Sequence, residues 1–198
     1  MDIMSSLRAD VFRSVVTIII PGATAVSPFL AVAGHRFPQL GIWVEQNAGV
    51  SGIVLLLVAV AAGQVLEELG AFIESKVWDR RLKRKNPEHL REWYEYLRLA
   101  FEVEPVGQEY LRTLTLGLKF ELNFGVSLFF SLFGILCFNW LSGLFSGCEM
   151  FVFGAGMLLL ACYLLWESKD SCKCLAEVRR ELLKGANVGG RSQSTKND

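Results

Sequence analysis

Apolar residues are concentrated in four blocks, and charged residues occupy the segments between them. The blocks run over about 15–34, 49–66, 122–144 and 150–166. A helix of roughly 20 residues is about 30 Å long, which matches the hydrocarbon core of a bilayer. The pattern therefore predicts an all-α integral membrane protein with four transmembrane helices.

The lengths of the connections predict how these helices are arranged. A short connection at 35–48, broken by Pro38 and Gly41, and a very short turn at 145–149 favour two antiparallel hairpins. A longer polar segment separates them and is expected to be helical and cytoplasmic. We expect four parts along the chain: 1–73 with the first hairpin, 74–119, 120–167 with the second hairpin, and a tail over 168–198 that is disordered at its end.

The distribution of basic residues predicts the orientation in the membrane. Of the 20 Lys and Arg residues, Arg36 alone falls in the connection between spans one and two, and none falls between spans three and four. Cytoplasmic segments carry the excess of Lys and Arg. Both termini are thus expected in the cytoplasm of a multi-pass protein of the bacterial inner (plasma) membrane. The formal net charge of zero gives no case for a nucleic-acid partner.

Two prolines, Pro21 and Pro28, lie inside the first span. Each removes a backbone donor and predicts a helix kink. Small residues surround both prolines, which favours a kinked helix packed closely on a neighbour. The alternative is a broken helix that lines a site or a pathway.

Polar residues gather where span two ends and span three begins. They predict a polar belt at the inner membrane interface, formed by Gln64, Glu67, Glu68, Glu74, Glu121 and Asn123. Residues four or seven apart on a helix share a face, so the members on span two can meet those on span three. In an oligomer this belt could form a carboxylate ring that selects cations. Alternatively, the carboxylates pair with Lys76, Arg80 or Lys119.

The segment after the basic run predicts a one-sided helix. Its apolar residues recur at spacings of three and four, which is typical of an amphipathic helix. This face packs on the protein's own helices, lies on the inner leaflet or docks a soluble partner. The residues predicted for docking to a partner or to the membrane surface are Arg80, Arg81, Leu90, Trp93, Tyr94, Leu97 and Phe101.

Cysteine and histidine usage argues against a metal site or a cofactor. The five cysteines show no spacing typical of zinc ligands. Cys172 and Cys174 suggest palmitoylation, metal binding, redox pairing or, as we favour, two spare thiols. We expect no metal and no cofactor.

The adjacent pair Glu67 and Glu68 resembles the double glutamate of some intramembrane metalloproteases. Those enzymes need histidines on other spans, whereas His35 and His89 are expected outside the spans. This departure favours a non-enzymatic protein.

In its span count and its cytoplasmic segment, the chain is similar to the small four-span membrane components of bacterial antiphage systems such as Kiwa. The likeness covers the layout and no motif. We expect a non-enzymatic homo-oligomer that anchors or senses at the lipid bilayer and couples to a soluble cytosolic partner, in the setting of antiviral defence. The alternatives are a channel-like effector that permeabilises or depolarises the membrane, and a small lipid-facing membrane enzyme.

Overall fold

The computed structural model describes residues 11–12, 15–85, 88, 91, 94–95 and 106–194. Helix accounts for nearly all of them, which confirms the predicted all-α class. In chain order the elements are a π-helical segment Val15–Ile19, α1 Ile20–Arg36, α2 Pro38–Gln46, α3 Ala48–Ile73, a second π-helical segment Glu74–Trp78, α4 Asp79–Lys85, α5 Val106–Ser142 and α6 Gly147–Ser194.

Four helical stretches are long and apolar enough to cross a membrane, as predicted. They are Val15–Arg36, Ala48–Arg81, Tyr110–Ser142 and Gly147–Leu183. The last three exceed the roughly 20 residues that a bilayer requires, because each helix continues past its apolar block into polar sequence. We call them spans one to four.

The last helix extends further than its composition suggests. The sequence predicts a disordered end, whereas α6 continues as a helix to Ser194. No proline follows the apolar block of span four. Every later residue therefore has a backbone N–H that can continue the helical hydrogen bonds. Residues 195–198 lie outside the described part of the chain.

The chain divides into two compact units. The first comprises Met1–Ala71 and Lys119–Glu167, and contains the four apolar blocks. The second comprises Phe72–Leu118 and Ser168–Asp198, and contains most of the charged residues.

Glycines allow spans one and two to approach closely in the first unit. A Cβ at Gly22 would overlap the carbonyl oxygen of Ala59, and a Cβ at Gly63 would overlap that of Ile18. The two backbones therefore touch where neither residue has a side chain. Small residues at helix interfaces give this kind of packing in membranes.

Glycines also lie at the contacts of spans three and four with their neighbours. A Cβ at Gly134 would lie 2.8 Å from Cβ of Pro28 on span one, and one at Gly125 would lie 3.2 Å from the Leu165 side chain on span four. Only 6% of the apolar window of span four is buried, against 22–28% for the other spans. Span four thus turns most of its apolar surface outward, as expected for lipid contact.

Proline begins helices in this structure. Pro21 lies in the first turn of α1, immediately after the π-helical segment, and α1 continues through Pro28 to Arg36. The change of helix type therefore lies before Pro21. Pro38, expected to break the connection between spans one and two, instead starts the short helix α2. Its missing N–H costs nothing there, because the first N–H groups of a helix have no intrahelical partner.

The connection between α5 and α6 is a tight turn. Gly143 has a φ of 60°, in the left-handed region that disfavours a side chain. Its N–H donates to the carbonyl of Asn139 over 2.8 Å, which closes the end of α5. The turn is completed by Leu144, Phe145 and Ser146 before α6 begins.

Candidate functional site

Asn123 is the most buried member of the predicted polar belt. Its side chain is 1% exposed, and Nδ2 donates to the backbone carbonyl of Thr17 over 2.8 Å. Thr17 lies four residues before Pro21, which has no N–H to donate back to that carbonyl. The Asn123 amide therefore donates from span three to the backbone of span one, one turn before Pro21.

Span two reaches the same amide through a glycine. A Cβ at Gly70 would lie 2.5 Å from Oδ1 of Asn123, so any larger residue would displace this side chain. Spans one, two and three thus meet at Asn123. The sequence singled out Asn123 but not Thr17 or Gly70. The available signal for Thr17 was its position four residues before a proline.

A second polar contact joins spans two and three. Lys119 Nζ lies 2.5 Å from Oε1 of Glu67, with the two side chains 36% and 27% exposed. The sequence left two alternatives for this carboxylate, a cation-selective ring or a charge pair. The pairing with Lys119 matches the second. Because both groups retain contact with solvent, the pair contributes little to stability.

The other belt residues differ in their exposure. Gln64 and Glu68 are exposed on span two, and Glu121 is half-buried on span three. Glu74 belongs to the second unit. Of the predicted belt, the structure therefore brings Asn123 to Thr17 and Glu67 to Lys119. Among the described residues, no three His, Cys, Asp or Glu side chains are grouped to hold a metal ion.

The second unit is organised around Trp78. Its indole Nε1 donates to the Ser168 hydroxyl over 3.1 Å, and Ser168 is fully buried. The guanidinium of Arg81 lies 5.0 Å from the centre of the Trp78 ring, which is within the range of a cation–π contact. Arg81 and Arg80, both predicted for docking, are exposed. Trp78 was not singled out by sequence, although an arginine three positions later is a usual signal for stacking.

The predicted docking stripe is described only in part. Tyr94 is 59% exposed. Arg91 bridges Glu88 at 2.9 Å and Glu95 at 3.3 Å, which is the i, i+3 and i, i+4 pairing of a charged helical face. The remaining stripe residues lie outside the described residues: Leu90, Trp93, Leu97 and Phe101.

The two C-terminal cysteines occupy different environments. Cys172 lies beyond the apolar block of span four and is 4% exposed. Cys174 is half-buried. Two positions apart on a helix, the side chains point about 200° apart, which argues against a shared metal ion or a disulfide between them.

This difference predicts selective thiol labelling. In the folded protein at pH 8, a maleimide should modify Cys174 much faster than Cys172, because the reagent must reach the thiol and Cys172 is buried whereas Cys174 is half-buried. Peptide mapping by mass spectrometry after a short exposure measures both sites. Unfolding in SDS should equalise the two rates. Equal labelling of both cysteines in the folded protein would contradict the packing of α6 in the second unit.

No family model matches this chain, and neither a curated protein nor a solved structure matches it.

Proposed function

We propose that the chain is a non-enzymatic, homo-oligomeric membrane component that anchors a soluble cytosolic protein at a bacterial inner membrane. Both termini would lie in the cytoplasm, as the distribution of Lys and Arg indicates. The setting that we propose is an antiphage system, on the layout shared with Kiwa-type membrane components. The partner's surface would be acidic where it meets Arg80 and Arg81, the two basic members of the predicted docking residues.

The observation that carries this proposal is the exposed arginine pair at the C-terminal end of span two. Helix α3, the second π-helical segment and α4 follow one another without a loop, so the apolar span leads directly into the basic run. Arg80 and Arg81 are exposed there. A membrane-embedded helix that ends in exposed arginines presents a fixed cationic surface to the aqueous side.

The contacts of Trp78 support a docking role for this surface. Arg81 lies over the indole ring, and the indole is itself bonded to buried Ser168. An arginine that is already held in place loses less side-chain entropy when it binds a carboxylate. Arginine also forms two parallel hydrogen bonds with a carboxylate, a geometry that lysine cannot reproduce.

Charge reversal at the arginine pair tests the proposal. Tagged protein purified from its native membranes should retain a soluble acidic protein in a fixed ratio. In the double variant Arg80→Glu, Arg81→Glu, the amount of the acidic protein that is retained should fall at least about tenfold, because electrostatic attraction becomes repulsion. Raising the salt concentration should weaken retention of the wild-type complex, since exposed charges are screened.

A matched control changes the same net charge elsewhere. Lys169→Glu with Lys173→Glu alters two basic residues of α6 outside the run and should leave retention unchanged. Equal loss in both variants, or no protein retained in a fixed ratio, would contradict the anchor. Ion flux through liposomes containing the purified chain, in the absence of any retained partner, would instead support the channel-like effector.

A further inference from the structure

An apolar groove of about 800 Å³ lies in the first unit, between spans one, three and four. Buried Pro28 and Ser131 lie at its floor, and exposed Ala31, Val152 and Phe153 lie along its edges. Its volume falls in the range of cavities that hold small organic molecules. The groove opens sideways from a helical bundle that is apolar enough to span a bilayer, so the medium at its opening is lipid.

The length of the groove matches one leaflet. Its lining on α5 extends from Ser131 to Phe138, which corresponds to roughly 10 Å along a helix. One leaflet of the hydrocarbon core is roughly 15 Å thick. Phe138 and the first turn of α6 belong to the end nearest the turn between α5 and α6. The groove therefore runs from within the hydrocarbon towards the membrane surface.

A carboxylate stands at that end. Glu149 lines the groove, and its Oε2 accepts the N–H of Ser146 over 2.9 Å and the Ser146 hydroxyl over 2.8 Å. In return, the Ser146 hydroxyl accepts the N–H of Glu149 over 3.3 Å. This reciprocal capping box holds the side chain in place at the start of α6.

Aromatic rings pack at the same end. The His35 ring packs edge-on against Phe138, with ring centres 5.9 Å apart. Arg36 follows His35 in the chain as the exposed last residue of α1. The end of the groove thus offers a carboxylate to a cation, and the nearby end of α1 carries a basic residue.

We propose that this groove binds one acyl chain of a membrane phospholipid whose headgroup carries an ammonium group, such as phosphatidylethanolamine. The chain lies against Pro28, Ala31 and Ser131, and the ammonium pairs with Glu149. A headgroup that has a phosphate but no ammonium group cannot pair with Glu149. The groove consequently selects ammonium-bearing lipids over phosphatidylglycerol.

Native mass spectrometry of the purified protein in detergent tests the proposal, with phosphatidylethanolamine and phosphatidylglycerol added in equal amounts. The wild type should retain the former at least about threefold more than the latter. Glu149→Gln should reduce this preference to near unity, while glutamine still accepts the bonds from Ser146. Glu45→Gln, which removes an exposed carboxylate of α2 away from the groove lining, should leave the preference unchanged.

Filling the groove tests the acyl-chain site separately. Ala31→Trp should lower retention of both lipids by at least about fivefold, and Val152→Trp provides a second variant at the opposite edge. Ala61→Trp, on an exposed position of span two outside the groove lining, should have no effect. An unchanged lipid preference in Glu149→Gln would overturn the proposal. So would an Ala31→Trp variant that changes the number of subunits but not the lipid bound, because a second copy would then fill the groove.

Discussion

Replacing Asn123 by leucine is expected to destabilise the membrane bundle by about 1–3 kcal/mol, the range for removing one partner of a buried hydrogen bond. The Asn123 amide donates to the Thr17 carbonyl over 2.8 Å, and Pro21, four residues after Thr17, has no N–H. Interhelical hydrogen bonds in membranes often contribute only about 0.6 kcal/mol, because polar groups find other partners when helices separate. We expect a larger effect here, because the Asn123 side chain is 1% exposed and a proline lies beside its acceptor.

Reversible unfolding in mixed detergent and SDS measures this change. Gln64→Leu is the matched control, since it removes an exposed amide from span two. Its effect should stay within about 0.5 kcal/mol, as for most surface substitutions.

A double-mutant cycle isolates the contact. Pro21→Ala restores an N–H four residues after Thr17, so Asn123→Leu should cost less in that background. We expect a coupling free energy of about 1 kcal/mol, within the range for residues that share a hydrogen-bond network. Strictly additive effects of the two substitutions would show that Asn123 contributes by packing alone.

Gly63→Ala is expected to destabilise the contact between spans one and two by about 1–3 kcal/mol, the cost of overpacking a tight interface. The new Cβ would overlap the Ile18 carbonyl oxygen and lie 2.7 Å from Cγ2 of the same residue. A backbone oxygen cannot move aside as a flexible side chain can. The same unfolding assay measures the loss.

Gly52→Ala makes the matched control on the same helix, because no atom lies within 4 Å of its new Cβ. Alanine favours a helix over glycine by up to about 1 kcal/mol, so this variant should be equally stable or more stable. The same Gly→Ala substitution is thus expected to lower the free energy of unfolding at position 63 and to leave it unchanged or raise it at position 52. Similar effects at both positions would contradict the close approach of spans one and two.

The sequence contains a signal for the start of α6 that the sequence analysis did not use. Ser146 and Glu149 form the S-x-x-E pattern that precedes an apolar run in a capping box. The sequence was instead interpreted there only as a short turn. The groove itself has no such signature, because its lining comes from three spans that are distant in the chain.

Helical periodicity predicts which belt residues share a face of one helix, but not which residues of another helix they contact. Spacing places Glu67 on a shared face with Glu74, but it does not say which side chain of span three lies opposite. The structure pairs Glu67 with Lys119 and directs Asn123 to Thr17, 106 positions away. Neither partner follows from helical spacing, since each depends on how one helix is rotated against another.

The amino-acid sequence alone determined the helical class and the four spans, because the length of an apolar block is a local property that the bilayer thickness selects directly. Its proline positions also marked span one as irregular. Only the tertiary structure decided that the Asn123 amide bonds the Thr17 carbonyl, that Gly22 and Gly63 bring two backbones into contact, and that Glu149 lies at the end of an apolar groove. These are contacts between helices in a bilayer, where apolar faces meet lipid and protein about equally well. The hydrophobic pattern therefore leaves helix rotation open, and small residues and buried polar groups decide it.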